Sequence, residues 1–291
     1  MGRKTVLLCI SLLFIAQAAY PAGQRFLEEA IFEMEKAFAE AETDFTPQDE
    51  YYLGRAVAAN ILARYRLYTG NPELASYLNM ICMAIAINSS RPEIYNGYRV
   101  IILDSPEYNA FATPGGHILI TKALIEAAPS EDALASIIAH ELAHIQLRHG
   151  MDAVNNIRVN DSMAAAAGRA ADYAARESAD AKRGAEFRNS ITAYIDMMLQ
   201  SGYSQVQEFE ADREAILLLA GAGYDPAALI EMLNVLGQGQ GGRRGGFYSS
   251  HPSPAQRIAN TEGIIWRYPV RNTRAYRAPR FERYFSSREK L

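Results

Sequence analysis

The chain has 291 residues, 49% of them hydrophobic, and a formal net charge of −4 at pH 7. This composition is typical of an ordinary globular protein with enough apolar side chains for a sizeable core. A slightly acidic chain lacks the excess of basic residues that binds phosphate backbones, which argues against a nucleic-acid-binding protein. We therefore expect a globular protein with no nucleic acid among its partners.

Residues 1–18 have the three parts of a secretory signal peptide. Gly2-Arg3-Lys4 is basic, an apolar stretch follows, and Ala16-Gln17-Ala18 fits a signal-peptidase site. We expect this segment to be cleaved and the chain to be exported to the periplasm. The apolar stretch is short for a membrane span. The alternative is that residues 5–18 stay uncleaved and anchor the chain to the inner membrane.

The spacing of apolar residues changes from helical to strand-like along the first half of the chain. Helical spacing predicts three helices, at residues 24–43, 47–68 and 72–87. Strand-like runs follow at residues 98–103, 108–112 and 117–121. We expect a short antiparallel sheet directly before the next helix, with an edge strand that pairs with an extended peptide through main-chain hydrogen bonds. His117 lies beside the turn at 113–116 and is interpreted as a surface residue.

A mainly apolar stretch at residues 130–150 contains the pattern His140-Glu141-x-x-His144. The stretch begins with a typical N-cap serine and ends at Gly150, so we expect one helix over it. On that helix His140 and His144 lie one above the other and can bind one metal ion, while Glu141 can reach a water on that ion. The alternative is a buried amphipathic helix that carries these residues by chance. Burying two imidazoles and a carboxylate without partners would be costly, which favours an H-E-x-x-H zinc site.

A later helix carries acidic residues on two different faces. On the face predicted to point inward, the acids are followed by apolar residues: Glu208, Asp212, Ala215 and Leu219. We therefore predict Glu208 as the third metal ligand and Glu210, on the other face, as a solvated surface acid. Asp212 lies one turn after Glu208 and is expected to accept the second N–H of a metal-bound histidine.

Three further segments have less specific patterns. Residues 151–204 are polar and alanine-rich, and we interpret them as a solvated helical excursion in preference to a mobile cover over the site. Residues 237–246 form a flexible glycine-rich loop that leads to His251-Pro252. Residues 267–291 form a tail rich in arginine and aromatic residues. We expect this tail to wrap around the domain rather than to contact an anionic membrane surface.

His149 follows the second histidine of the pattern by five residues. Metzincins place a glycine three residues after that histidine and a third histidine three residues later. Here those positions hold Leu147 and Gly150, which excludes that class. On one continuous helix His149 points well away from His144. We therefore predict that His149 interacts with the helix C-terminus and not with the metal.

Three motifs occur in a specific order: His140-Glu141-x-x-His144, then Glu208-x-x-Ala211-Asp212, then His251-Pro252 with Arg257. With these motifs, roughly residues 47–260 resemble the HtpX/CAAX-protease-type gluzincin metallopeptidases (peptidase family M48), especially their soluble exported members. The resemblance implies a mainly helical α+β fold, a zincin-like domain with a small antiparallel sheet next to the H-E-x-x-H helix. We place this domain at residues 19–266. Unlike some relatives, the sequence shows no transmembrane helices after residue 18 and no helical-repeat module after residue 260.

The resemblance also implies roles for the motif residues. It implies one Zn²⁺ per chain with three protein ligands, His140, His144 and Glu208. Glu141 would be the general base. His251 would stabilise the transition state, or bind the zinc as a fourth ligand when the enzyme rests. Asp212 would lie behind the ligands and pair with Arg257.

The function that follows from this resemblance is an exported zinc metalloendopeptidase that hydrolyses unfolded or misassembled envelope proteins. Its expected partners are unfolded polypeptides, with envelope assembly machinery or a membrane surface as further contacts. The alternative is a periplasmic chaperone or assembly factor for outer-membrane proteins with a latent or structural zinc site. An intact Glu141 argues against the alternative, because a purely structural site has no use for a base.

Overall fold

The computed structural model describes residues 45–157, 192–198, 200–238, 251–268 and 273–285. The described residues within Phe45–Val154 and Ile191–Leu291 form one compact unit. Several predicted features lie outside the described residues: the signal peptide at 1–18, the helix at 24–43, the alanine-rich part of 151–204 and the glycine-rich loop after residue 238.

The first half of this unit alternates helices and strands. Its elements are α1 (Pro47–Arg64), β1 (Arg66–Leu67), α2 (Pro72–Ala86), β2 (Arg99–Asp104), β3 (Ala110–Thr113), β4 (His117–Thr121), α3 (Lys122–Ala127) and α4 (Glu131–Gln146). Helix α1 begins with a capping box between Thr46 and Asp49, and it ends before the predicted residue 68. It ends there because Tyr65 adopts an extended backbone that leads into β1, a strand too short to leave a periodic signal.

The second half of the unit is helical. Its elements are α5 (Gln205–Gly221), α6 (Ala228–Gln238), α7 (Pro254–Ile265) and α8 (Arg274–Phe285). None of the helices in the described ranges combines the length and the apolar character needed to cross a membrane. The predicted fold class, mainly helical α+β, is confirmed.

The sheet has four strands in the order β1-β2-β4-β3. Strand β3 pairs with β4, and β1 with β2, in the antiparallel sense, but β2 and β4 are parallel, with Arg99 opposite His117. The prediction of an all-antiparallel sheet was therefore wrong for its central pair. The error arose because strand β4 lies between β2 and β3. The alternation of residues along a sequence predicts where strands are but not their order in the sheet. This order leaves β3 at an edge of the sheet.

Helix α4 lies at the centre of the core. All of its residues from Glu131 to Gln146 are buried, and it packs against α2, α5, α6 and β3. A helix buried on every side must satisfy its polar side chains through protein partners. Other elements must therefore supply hydrogen-bonding or oppositely charged groups to the polar residues of α4.

The described part of the C-terminal tail supplies oppositely charged groups of this kind to the start of α4. Arg277 of α8 binds Asp132 through two hydrogen bonds, of 3.0 and 2.6 Å, and Arg280 pairs with Glu131. Phe281 is buried in the same core cluster. Acidic residues also favour the positive end of the helix dipole. Helix α8 thus packs on the domain, and Arg277 and Arg280 are engaged there.

Helix α4 is shorter than the sequence suggested. It ends at Gln146, Leu147 and Arg148 form a turn, and residues 149–157 are helical again. Arg148 has a φ of 59°, a left-handed conformation that non-glycine residues seldom adopt. Because an arginine does not normally indicate such a turn, the sequence did not predict it. The prediction of one helix up to Gly150 was wrong. Gly150 lies in the next helix, where a Cβ atom would come within 2.5 Å of the Tyr194 hydroxyl.

Candidate metal centre

Four side chains bring potential metal-ligating atoms together at the centre of the unit. Helix α4 supplies His140 and His144, α5 supplies Glu208, and the residue run just before α7 supplies His251. One ligand atom of each lies within 4.8 Å of the others. Three imidazole nitrogens and one carboxylate oxygen are a donor set that suits a tetrahedral zinc ion.

The shortest distances within this group fix which atoms face one another. The Nε2 atoms of His140 and His144 are 3.2 Å apart. Glu208 lies across from them, with Oε2 3.5 Å from His140 Nε2 and Oε1 3.4 Å from His144 Nε2. His251 Nδ1 is 2.6 Å from Glu208 Oε2. Both α4 histidines therefore direct Nε2 toward the group and Nδ1 away from it.

The close approach of α5 to α4 depends on small residues and on a well-defined helix start. A capping box between Ser204 and Gln207 sets the beginning of α5 one turn before Glu208. Ala211 and Ala215 are fully buried. Because alanine side chains occupy little volume, the two helices can lie close together, and Glu208 can reach the α4 histidines. The inward face predicted from the helical phase of Glu208 and Asp212 is the buried one.

Burial and close charges shift the pKa values of His140, His144 and Glu208. Burial lowers the pKa of His144 to about 3, against the opposing effect of Glu208, so this imidazole is neutral at pH 7. Burial and the Arg257 charge lower the pKa of His140, but hydrogen bonds to Asp212 and Glu208 outweigh them and raise it to about 9. Burial raises the pKa of Glu208, yet the surrounding histidines hold it well below its usual range.

A second layer of polar residues lies behind His140. Asp212 Oδ1 is 3.0 Å from His140 Nδ1, the nitrogen that points away from the ligand group. Arg257 of α7 binds Asp212 with two hydrogen bonds, of 2.9 and 2.6 Å, and is almost completely buried. These contacts hold the ring of His140 in place, as second-layer carboxylates do in metal sites.

Glu141 lies beside the ligand group and makes few contacts of its own. It is buried, and its Oε1 atom has no hydrogen-bond partner among the described residues. Burial raises its pKa, against the opposing charges of His140 and His251. It lines a small cavity together with His251, Tyr203 and residues of β3. A buried carboxylate oxygen without a partner, next to this donor set, fits a site that takes up a metal ion and water.

Tyr203 closes one side of the site, a position that no sequence motif predicts. Its ring stacks on His144 with centroids 4.2 Å apart, and its hydroxyl lies 3.0 Å from that of Tyr194. The hydroxyl also donates to the carbonyl of Ala112 at 3.3 Å. Just before β3, the carbonyl of Asn109 accepts a hydrogen bond from the Thr121 N–H of β4, so by alternation the carbonyl of Ala112 in β3 faces the outer edge of the sheet.

His149 lies much closer to the site than predicted. Its Nδ1 atom is 2.9 Å from His144 Nδ1, and its Nε2 atom is 3.4 Å from Glu210 Oε2. The prediction that His149 points away was wrong, because it assumed that the helix continues through Leu147 and Arg148. Glu210, predicted to be a solvated surface acid, is 44% exposed and also contacts His149. His117 lies outside the ligand group, 3.3 Å from Thr113 Oγ1.

Comparisons with known proteins agree on one family. A model described as Peptidase family M48 matches residues 72–265. Beta-barrel assembly-enhancing protease of Escherichia coli is 27% identical over 192 residues, which are 65% of this chain but 38% of that protein. Metalloprotease LoiP of Escherichia coli is 28% identical over 188 residues, or 64% of this chain and 69% of LoiP. Mitochondrial metalloendopeptidase OMA1 of Schizosaccharomyces pombe is 28% identical over 164 residues, or 55% of this chain and 44% of that protein.

The chain spans less than half the length of two of these relatives. The family match, in contrast, covers most of the chain and extends from α2 to the end of α7. It includes every residue that the structure brings into the ligand group, together with Glu141, Asp212 and Arg257. On this evidence, the chain belongs to peptidase family M48, a family of metallopeptidases.

Proposed function

We propose that this protein is an exported zinc-dependent metalloendopeptidase that hydrolyses unfolded or misassembled envelope proteins. The observation that carries the proposal is the group of four donor atoms within 4.8 Å, placed beside the buried carboxylate of Glu141. A metal site with an adjacent unpartnered base is what peptide hydrolysis by activated water requires.

In this proposal His140, His144 and Glu208 would hold one zinc ion. A zinc ion with three protein ligands lowers the pKa of water to about 7 and polarises a carbonyl group. Asp212 and Arg257 keep the ring of His140 oriented toward the other ligands. The carboxylate of Glu208 stays ionised because three histidines lower its pKa, so it supplies negative charge at neutral pH.

Glu141 acts as the general base. Its carboxylate accepts the proton of the attacking water and delivers it to the leaving amine. Burial raises the pKa of Glu141 toward the working pH, and this favours both proton transfers. The absence of any hydrogen-bond partner for Oε1 among the described residues leaves that oxygen available for water.

Strand β3 provides the binding surface for an extended substrate. It is an edge strand in the described sheet, it lines the same cavity as Glu141, and its Ala112 carbonyl faces outward. Main-chain pairing of this kind does not depend on side chains, so it suits unfolded polypeptides of many sequences. Tyr203 donates to that carbonyl and would have to release it when a substrate strand pairs there.

The cellular setting is proposed from two sources. The signal-like segment at 1–18 supports export to the periplasm, with anchoring by residues 5–18 as the alternative. A relative is named beta-barrel assembly-enhancing protease, which motivates envelope assembly machinery as a partner.

The proposed domain limits are 19–266 for the peptidase and 267–291 for the tail. Because Arg277 and Arg280 are engaged by α4, tail contacts with a membrane are the weaker proposal.

A second candidate is a periplasmic chaperone or assembly factor with a latent or structural zinc site. It is favoured by the proximity of His251 to Glu208, since a fourth protein donor is typical of closed structural sites. In that case unfolded clients would bind along β3 without being cleaved.

The decisive experiment compares the wild type with Glu141→Gln. Both proteins are assayed for zinc by mass spectrometry and for cleavage of casein and of an unfolded outer-membrane protein. We expect one zinc per chain in both, and a loss of turnover of about 10²–10⁴-fold in the variant. The matched control is Glu262→Gln, an exposed position on α7, which should keep full activity. Equal turnover in Glu141→Gln would remove Glu141 from the mechanism, and no cleavage by the wild type would favour the chaperone.

A further inference from the structure

The two histidines of α4 are each backed by a polar group at the nitrogen that faces away from the ligand group. For His140 this group is the carboxylate of Asp212, 3.0 Å from Nδ1. For His144 it is another imidazole, that of His149, whose Nδ1 atom lies 2.9 Å from His144 Nδ1. His149 is nearly completely buried and has no part in the mechanism proposed above.

The direction of this contact follows from the chemistry of neutral imidazole. Two ring nitrogens at 2.9 Å form a hydrogen bond only when one carries a proton and the other offers a lone pair. To bind a metal, His144 must keep Nε2 unprotonated, since Nε2 faces Glu208 and His140. A neutral His144 then carries its proton on Nδ1 and donates it to Nδ1 of His149.

The same reasoning extends one residue further. If His149 accepts at Nδ1, its own proton is on Nε2, the atom that faces Glu210 Oε2 at 3.4 Å. The carboxylate favours this tautomer because it attracts the N–H dipole. The side chains therefore form a polarised series of contacts that runs from Glu210 through His149 to the metal-binding nitrogen of His144. It is the counterpart of the series that runs from Arg257 through Asp212 to His140.

The turn after α4 places His149 in this position. Arg148, with its φ of 59°, reverses the chain direction enough to bring the next side chain back toward His144. Glu50 of α1 is buried and holds the turn, with Oε1 2.7 Å from Arg148 Nη2 and Oε2 3.2 Å from Arg91 Nη2. The contact between the two histidines thus depends on a residue far away in the sequence.

We propose that His149 is a positioning residue of the metal site: it accepts the Nδ1 proton of His144, fixes that ring in its metal-binding tautomer, and is itself oriented by Glu210. This inference rests on the proposed metal centre and deepens it. It adds a residue that stabilises the bound metal through His144 without contacting the metal or the substrate.

The first test measures zinc affinity by competition with a chromophoric chelator in the full chain. His149→Phe fills the same space without an acceptor, and we expect a 10–100-fold loss of affinity, the usual effect of removing a second-layer partner. His149→Gln offers a carbonyl acceptor and should recover most of that loss. The unfolding midpoint of the metal-free protein should change little in either variant. Equal zinc affinity in the wild type and His149→Phe would overturn the proposal.

The second test observes the tautomers directly and needs no variant that must fold. The chain has five histidines, so ¹⁵N-histidine labelling of the zinc-loaded wild type gives a spectrum simple enough to assign. We expect His144 to be protonated at Nδ1 and His149 at Nε2. A proton on Nδ1 of His149 would overturn the proposal.

Cobalt(II) provides a spectroscopic check on the same variants. Loss of the acceptor should shift the visible absorption of the cobalt-loaded protein in His149→Phe but not in His149→Gln, whereas an identical spectrum in all three proteins would contradict the proposal. Neither affinity nor spectrum depends on turnover. If Glu141→Gln proved fully active, the proposed mechanism would fail while these results could still stand; a wild type that binds no zinc would overturn both.

Discussion

The Nδ1 atom of His251 lies 2.6 Å from the Oε2 atom of Glu208. This contact joins the segment that precedes α7 to the third proposed ligand. His251 also lines the cavity that Glu141 faces. The contact can therefore serve either to close the site at rest or to stabilise the transition state, and the two roles have opposite consequences for activity.

We expect His251→Ala to raise the rate of casein cleavage while zinc content stays at one per chain. Three ligands suffice for a catalytic zinc ion, and removing the fourth donor opens the position that a substrate needs. Activity and metal content are measured on the same preparation. A fall in kcat of about 10²–10³-fold with zinc retained would instead assign His251 to the transition state, since that is the usual effect of losing an oxyanion donor.

Glu208→Ala should lose zinc, whereas Glu210→Ala should retain it. The two acids are two residues apart on α5, but Glu208 is fully buried within the ligand group and Glu210 is 44% exposed next to His149. We expect only a small loss of zinc affinity in Glu210→Ala, because water can replace its carboxylate. Metal content after dialysis against a weak chelator is the measurement. Zinc bound equally by both variants would mean that Glu208 is not a ligand.

Arg277→Leu should destabilise the domain strongly, while Arg274→Leu should not. Arg277 binds the buried Asp132 at the start of α4, and its removal leaves a buried carboxylate without its counter-charge, at a cost of about 3–5 kcal/mol. Arg274, which is also on α8, forms a partly exposed ion pair with Glu231 of α6, a contact that contributes about 0–1 kcal/mol. Urea unfolding of both variants provides the comparison. Equal stability, together with lost liposome binding in Arg277→Leu, would support a membrane-binding tail.

Tyr203→Phe should lower the KM for unfolded polypeptides. The hydroxyl occupies the Ala112 carbonyl that an extended substrate would use, so its removal releases one hydrogen bond of about 0.5–1.5 kcal/mol. That corresponds to a change in KM of about two- to tenfold, with the stacking on His144 and the zinc content unchanged. Tyr52→Phe, at an exposed position on α1, is the control. An unchanged KM in Tyr203→Phe would argue against substrate pairing at Ala112.

The fold class and the family could be predicted from the sequence because they depend on local patterns. Helical spacing identified the core helices, and the phase of Glu208 and Asp212 on α5 separated a buried face from an exposed one. The strand positions followed from alternation, but the parallel pairing of β2 with β4 did not, because strand order depends on how the chain crosses the sheet. The roles of the ligands and of Glu141 remain predictions until metal content and turnover are measured.

The sequence by itself determined which side chains carry atoms able to ligate a metal and on which helix faces they lie, since side-chain chemistry and helical period are local properties. Only the tertiary structure decided what stands behind and beside those residues. His149 reaches His144 because Arg148 adopts a left-handed conformation held by Glu50 of α1, and Tyr203 stacks on His144 from a segment more than fifty residues later. Such contacts depend on packing between distant parts of the chain, and no local pattern encodes them.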